Sequence, residues 1–243
     1  NLNQNKAFKK ISIKSKSYIE KSFSAGLNIL NSGLSYKFIN GPISKDKFLN
    51  KKYPGITEYL ASKSRIKKFA MLIYNKNISV CPLSTHIPVK NITKHITKDN
   101  ICEKVKLLDN FFLKYKKIKP NIGVIGLNPH CESTDNFNED NKILKPTIKY
   151  LSKMGYKISG PFPADTAFIK KNRKNFHVFL GMYHDQVLTP IKTLYEYDAI
   201  NITLGLPFIR ITPDHGPNQT MLGKNKSNPL SLIQAIKFLD KNW

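Results

Sequence analysis

An α/β fold with a largely parallel sheet is what this sequence predicts, and three observations lead there. Apolar runs such as FAMLIY (69–74), ISVCPL (78–83), NIGVIGL (121–127) and HVFLGMY (177–183) have strand length and end in turn-forming or polar residues. Amphipathic stretches of helical period stand between them, most clearly over 97–115. Polar clusters follow the apolar runs, as in open α/β sheets, where functional groups gather beyond the carboxyl ends of the strands.

Each element has its own signal. Tyr18, Ile19, Phe23, Leu27 and Leu30 keep helical spacing over 17–32, and Gly33 stands where a C-terminal cap belongs. YKFIN (36–40) reads as a strand. YPGITEYL (53–60) reads as a turn leading into a helix, with Thr57 a candidate cap. The strands 69–74 and 78–83 are joined through Asn75-Lys76-Asn77. Thr97 opens the 97–115 helix, whose apolar face carries Ile101, Val105, Leu108, Phe112 and Tyr115. A further helix covers 139–154 and stops at Gly155, with Pro146 marking a kink or a later start. A short strand at 156–159 leads into the loop GPFPADTAF (160–168), and INITLGL (200–206) is another strand. The last helix, 227–241, spaces Leu230, Ile233, Ile236 and Leu239 by three.

Composition narrows the function classes. A formal net charge of +24 raises nucleic acid as a partner, but only three of the 40 basic residues are Arg and the rest are dispersed Lys. Base-reading surfaces favour the Arg fork, and no helix-turn-helix, RRM or zinc-finger pattern is present, so nucleic acid is set aside. No apolar run approaches bilayer length, which sets aside a membrane partner. The chain opens NLNQNKAFKK, with no apolar core of a signal peptide and no initiator Met, so a fragment or processed chain is expected. Cys81, Cys102 and Cys131 form no CxxC, which fits a reducing cytoplasm.

Three of the six histidines stand just past predicted strands: His86 after ISVCPLST, His130 after NIGVIGLNP and His184 after HVFLGMY. Neutral imidazole suits zinc and similar divalent ions, and three protein ligands with an open position is a catalytic arrangement. Position alone leaves two readings open, a shared metal site or three separate loop histidines. His95 lies in a polar stretch, His177 starts a strand, and His215 sits in a Pro-Asp-His-Gly turn. Lys192, Asn201 and Arg210 recur at intervals of nine as candidates for phosphate or carboxylate binding. Arg210 is notable because the chain uses Lys almost everywhere else; its competing reading is a surface ion pair.

INGPISK (39–45), YPGITEYLA (53–61), STHIPV (84–89), GLNPHCE (126–132), GPFPADTAF (160–168), MYHDQ (182–186) and NITLGLPFIR with DHG (201–216) appear in one order. That order resembles the 4-hydroxythreonine-4-phosphate dehydrogenases over nearly the whole chain from about residue 20. The resemblance implies a two-domain fold like that of isocitrate and isopropylmalate dehydrogenases, with an interdomain cleft. Residues 1–46 and 190–243 would belong to the terminal domain, and 47–189 to a central domain carrying the metal ligands. It implies NAD-dependent oxidation of 4-phosphooxy-L-threonine, then decarboxylation to 3-amino-2-oxopropyl phosphate, in pyridoxal 5′-phosphate biosynthesis. It further implies a homodimer with the site at its interface, and one divalent ion (Zn, Mg or Co) on His86, His130 and His184. The family's substrate contacts fall on Thr57, Lys192, Asn201 and Arg210. Lys192 is a candidate for proton transfer, and Asp165 and Asp185 for binding the substrate amine or orienting the histidines. No residue is assigned to NAD. Ile56 stands where the family has His before that Thr, and no Gly-rich GDPAGIGPE-type loop is present, so the first βα portion is expected to be missing. These departures keep two alternatives: a dehydrogenase of 4-phosphothreonate or 4-phosphoerythronate, or an inactive, truncated homologue.

Overall fold

The computed structural model describes residues 14–44, 48–49 and 52–241. Its main elements are α1 (Lys14–Asn31), β1 (Lys37–Ile39), α2 (Ile56–Lys63), β2 (Ala70–Tyr74), β3 (Ser79–Ser84), α3 (Lys98–Phe111), β4 (Ile122–Ile125), α4 (Lys145–Lys153), β5 (Ile158–Phe162), β6 (Val178–Tyr183), α5 (His184–Tyr195), β7 (Ile200–Leu204), β8 (Ile209–Pro213) and α6 (Leu230–Leu239). Helix and strand alternate as expected, and the fold is α/β. The chain divides into two compact units, residues 1–67 with 197–242, and 68–196. The expected boundary at 46/47 lies outside the described residues, and the one at 189/190 falls inside α5.

The unit of residues 68–196 carries a five-stranded arrangement in the order β2-β3-β6-β4-β5. The pairs β3–β6, β6–β4 and β4–β5 are parallel, while β2 and β3 form an antiparallel pair. β3 is buried along all six residues and β4 along all four. This is the pattern of strands covered on both faces, and it explains why they read as unbroken apolar runs rather than alternating ones. Helix α3 buries Ile101, Val105, Leu108 and Phe111, and Thr97 caps it by accepting the Asn100 N–H at 3.2 Å. The expected 139–154 helix is continuous over 139–153, with a widened turn over Asp140–Leu144 leading directly into α4, and Pro146 lies in the first turn of α4. Pro146 has no N–H to close an α-turn, and the widened turn ends just ahead of it.

In the other unit, β1 pairs in parallel with β8, and β7 lies antiparallel to β8. Its core is aromatic: Phe23 stacks on Phe48 at 5.5 Å and meets Tyr59 edge-on at 5.7 Å, with Leu60 fully buried beside them. Thr57 is not a cap. Gly55 precedes α2, and Thr57 is buried within its first turn. No separate signal in the sequence marks β8: after β7 the chain turns at Gly205, φ +91°, and a further strand runs over Ile209–Pro213.

Two expectations for stability follow. A Cβ on Gly123 would lie 2.5 Å from the ring of Phe179, which itself packs on Phe168 and Phe176 at 5.0 Å. Gly123→Ala is expected to cost about 1–3 kcal/mol in urea unfolding. Adding Phe179→Leu should recover part of that loss; strictly additive losses would contradict the packing account. His177 accepts the Asn121 N–H on Nδ1 at 2.8 Å, and burial, then Lys157, lowers its pKa below the ordinary 6.5. The folded state therefore refuses a proton that the unfolded chain takes up. Stability should fall as the pH drops below 6.5, and His177→Gln should flatten that part of the pH profile relative to wild type. An unchanged profile would remove the assignment.

Candidate active site

Parallel pairing puts the carboxyl ends of β3, β6 and β4 side by side, in that order. His86 leaves β3 two residues past Ser84, His184 directly follows β6, and His130 comes five residues after β4. Ser84 and Tyr183 are register partners, so His86 and His184 emerge together, with ring centroids 5.8 Å apart. His184 is also the first residue of α5, so its position is fixed by a strand on one side and a helix on the other. Asp185 Oδ1 lies 2.6 Å from His184 Nδ1. With Nδ1 engaged, Nε2 is the nitrogen left for a ligand.

The two rings form a nitrogen-donor pair suited to a borderline divalent ion such as zinc or cobalt. Among the described residues, no three His, Cys, Asp or Glu side chains come together as a metal-holding group. His130 is thus not brought into the pair within one chain. It sits exposed on a turn with a left-handed backbone, φ +55°.

Asp165 and Asp185 line one open groove of about 710 Å³ with Phe168, Tyr183, Gln186 and Pro190. Both aspartates are exposed. Lys192 lies in the last turn of α5, half-buried, in the same unit as the histidines.

Thr57, Asn201 and Arg210 belong to the other unit. Arg210 is favoured by the sequence as an anion-binding residue over a surface ion pair. It lies within β8 and is completely buried, which removes the surface ion-pair reading. Its Nε donates to Asn40 Oδ1 at 2.7 Å and its Nη1 to Thr203 Oγ1 at 2.9 Å. Nη2 is buried and has no hydrogen-bond partner among the described residues, and neither has Asn201 Oδ1 on the adjacent strand β7. Buried polar atoms are normally paired, so Arg210 Nη2 and Asn201 Oδ1 each mark a position for a polar ligand atom or water. Burial pulls the Arg210 pKa down to about 9, against the smaller opposing effect of Glu58. That value leaves the guanidinium charged at neutral pH.

Asn40 and Thr203 are partners of Arg210 that the sequence did not disclose. Asn40 sits at the end of a three-residue strand, and Thr203 is a lone hydroxyl inside an apolar run. Only the pairing of β1 and β7 with β8 brings them to Arg210.

Comparison with known proteins matches residues 2–239 to the family model for the pyridoxal phosphate biosynthetic protein PdxA. The chain is 43% identical over 201 residues to a 4-hydroxythreonine-4-phosphate dehydrogenase of Sulfurihydrogenibium sp. (strain YO3AOP1), covering 81% of this chain and 62% of that protein. It is 33% identical over 186 residues to a D-threonate 4-phosphate dehydrogenase of Pectobacterium atrosepticum, covering 76% of this chain and 57% of that one. The crystal structure of a 4-hydroxythreonine-4-phosphate dehydrogenase from Klebsiella pneumoniae superposes with a TM-score of 0.79 at 27% identity, covering 94% of this chain and 71% of that one. The chain spans less than two thirds of the length of the two sequence relatives. Among the described residues, no helix is long and apolar enough to cross a membrane. With the family model matching residues 2–239, the chain belongs to the PdxA family of dehydrogenases of pyridoxal phosphate biosynthesis.

Proposed function

We propose that the chain takes part in NAD-dependent oxidation of 4-phosphooxy-L-threonine at its secondary hydroxyl, with loss of CO2 from the resulting β-keto acid to give 3-amino-2-oxopropyl phosphate. The observation that carries this reading is the His86–His184 pair at the carboxyl edge of a parallel sheet, 5.8 Å between rings. A divalent ion held there would lower the pKa of the substrate hydroxyl and stabilise negative charge on the same oxygen during decarboxylation. His86 and His184 supply two imidazole nitrogens, and Asp185 orients the second through Nδ1. His130 of a second copy of the chain supplies the third, which makes the working unit a homodimer.

The remaining roles are electrostatic. Arg210, with Nη2 left over, takes one of the substrate's anionic groups, phosphate or carboxylate. Asn201 Oδ1 accepts from a substrate hydroxyl or amine, and Thr57 adds a further polar contact. Lys192 takes the remaining anionic group or moves the proton released from the hydroxyl. NAD bound beside the substrate would supply the hydride acceptor; Lys192 would take the hydroxyl proton, and the C–C bonding pair left as CO2 departs would be quenched by a proton on the product carbon. The three cysteines are free thiols, which fits a reducing cytoplasm.

A second reading has a specific observation in its favour. Ile56, where the family has His, packs against the aromatic cluster around Phe23 and Tyr59 and offers no hydrogen bond. One relative is a D-threonate 4-phosphate dehydrogenase, so a phosphorylated hydroxy acid lacking the amine is the competing substrate.

Two experiments follow. NADH formation should appear with 4-phosphooxy-L-threonine in the presence of Zn2+, Mg2+ or Co2+ and disappear with chelator. A higher kcat/KM with 4-phosphothreonate selects the second reading, and no NADH with either substrate and any ion contradicts both. Arg210→Lys cannot reproduce a fork that engages Asn40, Thr203 and a ligand together. It should lower kcat/KM by about ten- to a hundred-fold, the loss of one charge-assisted hydrogen bond. Unaltered kinetics would remove Arg210 from substrate binding.

A further inference from the structure

A single buried carboxylate holds the turn that carries His130. Asp140 is 0% exposed. Its Oδ1 accepts the Leu127 N–H at 2.8 Å. Its Oδ2 accepts the Asn128 N–H at 3.0 Å and Asn128 Nδ2 at 2.9 Å. A desolvated carboxylate is tolerated when several N–H groups converge on it, and these come from the segment just ahead of Pro129-His130. Asp140 is itself fixed, because Asn138 Oδ1 accepts its backbone N–H at 2.9 Å.

The turn needs such a hold. His130 and Cys131 are successive non-glycine residues in the left-handed region, at φ +55° and +62°. Backbone of this kind persists only where its surroundings determine it. The space is also tight. A Cβ on Gly126 would lie 2.5 Å from Cys131 Sγ and 2.7 Å from Asp140 Oδ1.

A second grip comes from α5. Gln186 Oε1 accepts the Met182 N–H at 2.7 Å, while its Nε2 donates to the Gly126 carbonyl at 2.7 Å. One amide thereby ties the end of β6, where His184 follows, to the end of β4, where the His130 turn begins. The alternative is that Asp140 merely begins the wide turn 140–144. Its side-chain bonds go elsewhere, to 127 and 128, so that role does not account for them.

We infer that Asp140 is a positioning residue that presents His130 for metal binding, and that Gln186 fixes the root of the same turn to the strand leading to His184. The inference rests on the reading of His130 as a ligand. The test is Co2+ titration of the full chain followed by d–d absorption, with thermal unfolding recorded for every variant. Asp140→Asn removes the charge at constant size. It should weaken Co2+ binding about ten- to a hundred-fold and change the absorption band. Leu144→Ala, buried one turn on, should lower stability while binding Co2+ as wild type does. Should Asp140→Asn not fold, Gln186→Met, which removes both amide bonds, is the readout, and weaker binding is again expected. Wild-type affinity in a folded Asp140→Asn or, in its place, Gln186→Met, alongside a loss in His130→Ala, overturns the inference and leaves the ligand reading intact. Wild-type affinity in His130→Ala overturns the ligand reading and the inference together.

Discussion

Parallel pairing of β3, β6 and β4 is the constraint on which the rest depends. Parallel strands require crossover connections, and these cover both faces with helices. The edge where these strands end is then the place where the sheet can gather polar side chains. Each chain exit there carries a histidine, and the register Ser84↔Tyr183 decides which two become neighbours. A shift of one residue in that register would separate His86 from His184 and reverse the faces of β6.

The two compact units place charge in contrasting ways. In residues 68–196, the histidines and the aspartates Asp165 and Asp185 are half-buried or exposed, open to an incoming ion or substrate. In the other unit, the notable charge is fully enclosed. Arg210 spends two of its nitrogens on Asn40 and Thr203, and this cradle fixes the direction of the third. Burial of a guanidinium is costly, and neutral oxygen acceptors return only part of that cost. The Glu58 charge offsets part of that cost, and Nη2 is the guanidinium nitrogen without a hydrogen-bond partner among the described residues.

Much of this was legible in the sequence, for a physical reason. Strands covered on both faces are written as continuous apolar runs, and the residue after such a run stands at the sheet edge. That logic alone found His86, His130 and His184. It did not find Arg210's true setting, because Arg210 and Thr212 interrupt the apolar pattern just where the run INITLGLPFI ends. Nor could it find Asn40, Thr203, Asp140 or Gln186 as partners. Asn40–Arg210 reaches across 170 residues and Gly126–Gln186 across 60, and long-range pairing leaves no local period. Thr203–Arg210 and Asp140–Leu127 span only 7 and 13, but the first depends on antiparallel pairing of β7 with β8 and the second on an irregular turn. The fit of His130 was likewise beyond it: strand-end position predicts three neighbours, whereas within one chain the described residues assemble two.

The central claim is that one divalent ion bridges this edge between two copies of the chain. Anomalous diffraction at the cobalt edge, from crystals of the chain grown with Co2+, tests it most directly. The account predicts a peak in contact with His86 and His184 of one copy and His130 of another. A peak bound elsewhere, or a His86–His184 pair that stays metal-free at saturating Co2+, would contradict it.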